Sequence, residues 1–148
     1  MTLVIDASVG LKWALREPDS GSADALLNSR ETLLVPDFWL HEVTNVMWTQ
    51  VRRGVFTPDD ARKGLAVLQT QVEPKITTGL ELHATALEIG MAVNHSTYDT
   101  LYVAFALAMG ARGVVVADAP FLRDMRRHPD PALAALLIPL DAWAEGPA

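Results

Sequence analysis

Short apolar runs rich in β-branched residues alternate along this chain with segments of helical periodicity, and few architectures accept that alternation. Thr2-Leu3-Val4-Ile5, Leu33-Leu34-Val35 and Val114-Val115-Val116 are too short for stable helices and show no polar face. Unbroken apolar runs of this length, bounded by turn signals, read as strands buried on both sides. Strands that alternate with helices have no room for hairpins, so the sheet is expected to be mostly parallel and covered on both faces by helices. The fold class is α/β. In such sheets, sites form beyond the carboxyl ends of the strands, where the topology switches direction.

The helices have readable ends. Ser8 is a candidate N-cap for a first helix whose apolar positions are Val9, Leu11, Trp13, Ala14 and Leu15, and Glu17-Pro18-Asp19-Ser20-Gly21 breaks it. A second helix is expected from Ala23 to Ser29. Pro36-Asp37 turns the second strand into a long helix reaching Arg53, with Gly54 as its stop. Thr57-Pro58-Asp59-Asp60 starts the next, with Thr57 as cap, Pro58 at the first helical position and two acids at the positive end. That helix should run to about Val72, and Pro74-Lys75-Ile76 is a weak strand candidate. Gly79 to Val93 reads as a helix, followed by one that Ser96 or Thr97 caps. The latter contains Leu101 to Met109, apolar nearly all round and so expected to be buried. Gly110 ends it, Asp118-Ala119-Pro120 opens a short basic helix, and Ala135 to Leu140 is a candidate edge strand.

At 148 residues the chain is expected to form a single domain, 1–148, able to bury about 68–70% of its unfolded surface. Half of the residues are hydrophobic and 20% are charged, a balance that disfavours disorder. With no cysteine, disulfides, thiolate metal sites and thiol nucleophiles are excluded. The N-terminus lacks a basic segment and Asp6 interrupts its apolar run, so no signal peptide is expected. The longest apolar stretch, Leu101 to Ala111, falls short of the ~20 residues of a membrane span. A protein of the cytoplasm is the resulting expectation. A net charge of −6 argues against binding nucleic acid through a broad basic surface, though not against a nucleic-acid enzyme whose acids hold cations.

Asp6, Glu42, Asp99 and Asp118 fall at strand ends or helix starts. Carboxylates at such places are costly unless paired, hydrogen-bonded or coordinating a cation, and Lys and Arg are scarce beside them in the sequence. Each has an ordinary alternative: Asp118 as a helix cap, Asp6 in a turn before Ser8, Glu42 as a solvated acid, Asp99 facing a helix dipole. One shared divalent-metal site explains all four at once. Ser8, two residues after Asp6, is placed to assist there as well as to cap. Arg123, Arg126 and Arg127 form a basic face that is either solvated or available to phosphates, with Arg123 and Arg126 the candidate substrate contacts. His41, His83, His95 and His128 lack paired ligand spacing and read as surface or locally hydrogen-bonded residues. No nucleophile elbow or glycine-rich phosphate loop is present.

Taken in order, several segments resemble the PIN-domain nucleases and, within them, the VapC-type toxins of bacterial toxin–antitoxin pairs. They are Val4-Ile5-Asp6-Ala7-Ser8-Val9 with Lys12-Trp13, Pro36-Asp37 leading to Glu42 and Asn45-Val46-Met47-Trp48, then Arg52-Arg53-Gly54. Tyr98-Asp99-Thr100-Leu101-Tyr102-Val103-Ala104 and Val115-Val116-Ala117-Asp118 complete the set. The family's acidic quartet falls on Asp6, Glu42, Asp99 and Asp118. One departure is Val116, where the family often carries Thr or Ser two residues before the last acid. The resemblance implies a three-layer α/β/α sandwich and an Mg²⁺- or Mn²⁺-dependent endoribonuclease. Asp6 and Asp99 would ligate the metal, Asp118 would complete the shell, and Glu42 would ligate it or orient the attacking water. It also implies RNA as substrate, a homodimer and a cognate antitoxin as inhibitor. Large residues of the early helices (Leu11, Trp13, Trp39, Leu40, Met47 and Trp48) are core or, for some, anchors for that partner. The alternatives are a catalytically silent PIN-like module that binds only a protein, and a phosphatase using Asp6 as nucleophile. The latter class usually has a second acid where this chain has Ser8.

Overall fold

The computed structural model describes residues 1–14 and 19–143. Strands β1 (Thr2–Ile5), β2 (Thr32–Pro36), β3 (Pro74–Lys75), β4 (Gly113–Val116) and β5 (Leu137–Pro139) form one sheet in the order β3-β2-β1-β4-β5. Every pairing is parallel. The chain builds outward from β1 to one edge through β2 and β3, then to the other through β4 and β5. The switch point therefore lies between the carboxyl ends of β1 and β4. Leu3, Val4, Ile5, Val114, Val115 and Val116 have no exposed surface, as strands covered on both faces require. Pro74 sits in the two-residue strand at one edge, where a missing N–H costs least.

The helices are α1 (Ala7–Ala14), α2 (Ser20–Leu27), α3 (Phe38–Arg52), α4 (Pro58–Gln71), α5 (Leu82–Val93), α6 (Thr97–Met109), α7 (Ala119–Met125) and α8 (Pro131–Ala134). Together with the sheet they form the expected three-layer α/β/α sandwich. Thr57 and Asp60 close a reciprocal capping box at the start of α4. Gly54 takes the left-handed conformation (φ 74°) that stops the chain after α3.

Three local expectations shift. Ser8 lies inside α1 and does not cap it; the Asp6 carboxylate accepts from the Val9 amide instead, because the helix begins at Ala7, two residues earlier than a Ser8 cap would place it. Helix α5 begins at Leu82, not Gly79: Gly79 is left-handed (φ 91°) within a turn closed by the Leu80 amide on the Thr77 carbonyl. The last turn of α6 emerges from the core, with Leu107 and Met109 exposed, so that helix is apolar beyond its buried part. Leu15 and the break at Glu17-Pro18 lie outside the described residues. No helix among the described residues is long and apolar enough to cross a membrane.

The contact between α1 and α3 brings Asp6, just before α1, within reach of the Glu42 charge. Gly10 makes it possible: a Cβ there would collide with the buried Trp39 indole. Gly10→Ala should cost about 1–3 kcal/mol through overpacking, measured by denaturant unfolding. A loss below ~0.5 kcal/mol would show that the two helices separate freely.

Candidate metal centre

Asp6 follows the last residue of β1, and its own amide still donates to the Val115 carbonyl of β4 (3.4 Å). Its side chain is 4% exposed. The Ser8 hydroxyl donates to Asp6 Oδ1 at 2.6 Å and accepts from the Ala117 amide at 3.0 Å. Ser8 thus ties the end of β1 to the segment leaving β4, and its hydrogen is committed to Asp6. Where the family often has a hydroxyl, Val116 is fully buried in the core.

Glu42 lies one turn into α3, half-buried. Asp99 is in the first turn of α6, and Asp118 caps α7 by accepting from the Phe121 amide at 3.4 Å. The capping alternative for Asp118 is therefore fulfilled, and it coexists with the cluster. Asp99, Asp118 and His95 each present a ligand atom, and the three atoms lie within 4.8 Å of one another. Asp6 and Glu42 stand close enough for the Asp99 charge to act on both. The four predicted acids converge at the switch point.

Their electrostatics are those of a site lacking counter-charge. Burial, reinforced by Asp99 and Glu42, pushes Asp6 up to about 7 although Ser8 and the Val9 amide favour its ionised form. Burial and Asp99 likewise carry Glu42 to about 7. Asp99 is also raised by burial and by Asp118, with His95 working against the rise. Tyr102 is buried in α6, its ring edge-on to Phe38 at 5.1 Å. Its hydroxyl is turned toward Glu42 without a bond of good geometry; burial and the surrounding acids keep it protonated.

His95, Asp124 and Tyr102 are the members that sequence reasoning did not place in the site. His95 Nε2 lies 2.6 Å from Asp99 Oδ2, and Nδ1 lies 2.8 Å from Asp124 Oδ2. Local hydrogen bonding was the expectation for the histidines, and His95 fulfils it. Its i, i+4 spacing from Asp99 was the available signal. Arg123 and Arg127 both donate to Asp124, at 3.2 and 2.8 Å. Arg123 and Arg126 line a cleft with Ala117, Ala119 and Leu122, next to a second cleft containing Ser8, Lys12 and Asp118. Arg126 has no ion-pair partner among the described residues. Of the large early residues, Trp13, Trp39 and Met47 are buried, Leu11 and Leu40 are half-buried, and Trp48 is exposed beneath the Arg52 guanidinium.

With both His95 nitrogens taken by Asp99 and Asp124, the free donors are carboxylates, a set that suits Mg²⁺ or Mn²⁺, which favour oxygen ligands. Without a cation the cluster should weaken the fold as pH rises. Asp6 and Glu42 titrate near 4 when unfolded and about 7 when folded, so the native state holds more protons across that window and loses stability through it. His95 is raised by its bonds to Asp124 and Asp99, which outweigh its burial. The stability its charged form contributes is lost as pH rises through the folded value, in the same direction. In EDTA, denaturant unfolding should show less stability at about pH 8 than at about pH 5, by on the order of 2 kcal/mol. Asp6→Asn should remove much of the difference; equal wild-type stabilities at both pH values would contradict a converged, uncompensated cluster.

No protein-family model matches the chain. Over 113 residues, 76% of its length, it is 28% identical to Ribonuclease VapC3 of Pyrobaculum aerophilum, covering 86% of that protein. The crystal structure of PAE2754 from Pyrobaculum aerophilum superposes with a TM-score of 0.68 at 17% identity, over 97% of this chain and 87% of that one. VapBC2 from Rickettsia felis, solved bound to a DNA fragment from its promoter, gives a TM-score of 0.68 at 14% identity, over 94% of this chain and 98% of that one. In sequence the chain resembles the PIN-domain nucleases of the VapC type, and its fold is theirs.

Proposed function

We propose that the protein is a divalent-metal-dependent endoribonuclease, a VapC-type toxin restrained by a cognate antitoxin. The observation that carries this reading is the convergence of Asp6, Glu42, Asp99 and Asp118 at the switch point, with His95 hydrogen-bonded to Asp99. Resemblance to a protein named as a ribonuclease supports the choice of RNA, and the VapBC2 structure supports a toxin–antitoxin setting. A toxin acting on the cell's own RNA would work in the cytoplasm.

In this reading Asp6, Asp99 and Asp118 hold Mg²⁺ or Mn²⁺. When bound, the cation supplies positive charge that acidifies an attacking water and stabilises the leaving oxygen. Glu42, half-buried beside Asp99, would be suited to orient that water and take its proton. The water oxygen would bond to phosphorus as the bond to the 3′ oxygen breaks and that oxygen takes a proton from bulk water, leaving a 5′-phosphate and a 3′-hydroxyl. Ser8 holds the Asp6 carboxylate in place throughout. Arg126, and Arg123 beyond its bond to Asp124, would take neighbouring RNA phosphates. Exposed Trp48 and half-buried Leu11 and Leu40 would anchor the antitoxin, whose Arg would compete for the carboxylates. Leu87 and Met91, exposed one turn apart on α5, offer an apolar face for a homodimer.

Purified protein should cleave RNA with Mn²⁺ or Mg²⁺, and lose the activity in EDTA. Asp6→Asn and Asp99→Asn should lower the rate about 100-fold or more while preserving the fold. Mn²⁺ at about 100 times its dissociation constant should stabilise the wild type by ~2.7 kcal/mol. Cleavage that persists in EDTA and in Asp6→Asn would overturn the assignment.

A further inference from the structure

We propose that His95 is a positioning residue that suspends the Asp99 carboxylate from Asp124 and so decides which Asp99 oxygen meets the cation. The inference rests on the metal-site reading above and extends it to side chains outside the acidic quartet.

The bridge runs Asp124 Oδ2 to His95 Nδ1 (2.8 Å), then His95 Nε2 to Asp99 Oδ2 (2.6 Å). One Asp99 oxygen is thereby committed, and the other remains for the cation. Asp124 is itself fixed. It is 7% exposed and accepts from the Arg123 and Arg127 guanidinium groups. Arg127 Nη2 also donates to the Val93 carbonyl at 3.2 Å, which clamps the turn after α7 to the end of α5. The imidazole stacks on Phe121 with centroids 4.8 Å apart and planes 17° from parallel. Bonded through both nitrogens and stacked on one face, the ring has no freedom to turn.

The backbone at His95 is equally determined. Asn94 adopts a left-handed conformation (φ 52°), which sends the chain sharply from α5 into α6. The His95 amide donates to the Gly90 carbonyl at 3.1 Å. A Cβ at Gly90 would lie 2.9 Å from the His95 carbonyl oxygen, so the close approach requires glycine. Both helix ends and the ring position thus converge on a single placement of Nε2.

This is the arrangement expected of an outer support for a metal ligand. Partners of metal ligands fix ligand orientation, and their loss typically costs 10–100-fold in metal affinity. A bridge between two ionised carboxylates needs a hydrogen on each ring nitrogen. The role belongs to the pair: without Asp124, His95 has one anchored nitrogen fewer and its ring is free to swing.

The test is calorimetric titration of the metal-free full chain with Mn²⁺, with circular dichroism and melting in EDTA as fold controls. His95→Ala and Asp124→Ala should each weaken Mn²⁺ binding by about 10–100-fold. His95→Gln, which retains a donor toward Asp99, should recover part of the loss. Asp124→Asn, which keeps an acceptor and nearly the same shape, covers the case in which Asp124→Ala fails to fold; it should weaken binding less than removal of the side chain. Wild-type affinity in both folded His95→Ala and the Asp124 variants would overturn the proposal and leave the metal site standing. Loss in His95→Ala with wild-type affinity in the Asp124 variants would also overturn it, since His95 would then act without its anchor. A wild type that binds no Mn²⁺ would remove the metal reading itself, and this inference with it.

Discussion

Burying Asp6 at the point where β1 stops sets the terms for everything around it. β1 is the central strand and has no exposed surface from Leu3 to Ile5, so a residue immediately after it emerges into the floor of the switch point, short of bulk water. A carboxylate there loses solvation and must be repaid by hydrogen bonds or by opposite charge. The chain supplies bonds from Ser8 and the Val9 amide, and then adds Glu42, Asp99 and Asp118 nearby, which makes the charge imbalance worse. Stability alone would favour the reverse. An arrangement that concentrates the repulsion at the carboxyl ends of parallel strands makes physical sense when the missing charge arrives with a cation.

The compensation is distributed unevenly. Asp99 has His95, which is backed by Asp124 and two arginines; Asp6 has only neutral donors; Glu42 has a tyrosine hydroxyl that does not close a proper bond. The acids best able to take or hold a proton near neutrality are therefore Asp6 and Glu42. Asp99 is held in a fixed orientation. A cation binding among them would meet Asp99 already oriented and, in Asp6 and Glu42, two neighbours that release protons beside its charge, so its affinity should rise with pH.

The sequence allowed the central sheet to be read, because buried parallel strands announce themselves as unbroken apolar runs. The short edge strands β3 and β5 were weaker signals, since two or three residues with proline carry little periodicity. Asp6 and Asp118 were legible as strand-end acids and Asp99 as an acid opening an apolar helix. Glu42 became legible in company with the others. Ser8 does not cap because helix α1 starts two residues sooner, at Ala7, with Asp6 accepting the amide bond at its start. His95 and Asp124 were hidden for a different reason. They are 29 residues apart, and nothing in spacing reveals that α7 folds back against the α5–α6 turn. That contact depends on Asn94, Gly90 and Arg127, each unremarkable in isolation.

The same geometry separates a hydrolytic metal site from an aspartyl nucleophile. A carboxylate that attacks phosphorus needs an exposed oxygen along the line of displacement. Asp6 is 4% exposed, and its Oδ1 receives both the Ser8 hydroxyl and the Val9 amide. A second acid two residues on, the usual proton donor of that class, is replaced by a serine whose hydrogen points back at Asp6. Ligation asks much less. Oδ2 can face a cation while Oδ1 keeps its donors, and the remaining negative charge of Glu42, Asp99 and Asp118 becomes an asset once positive charge is among them.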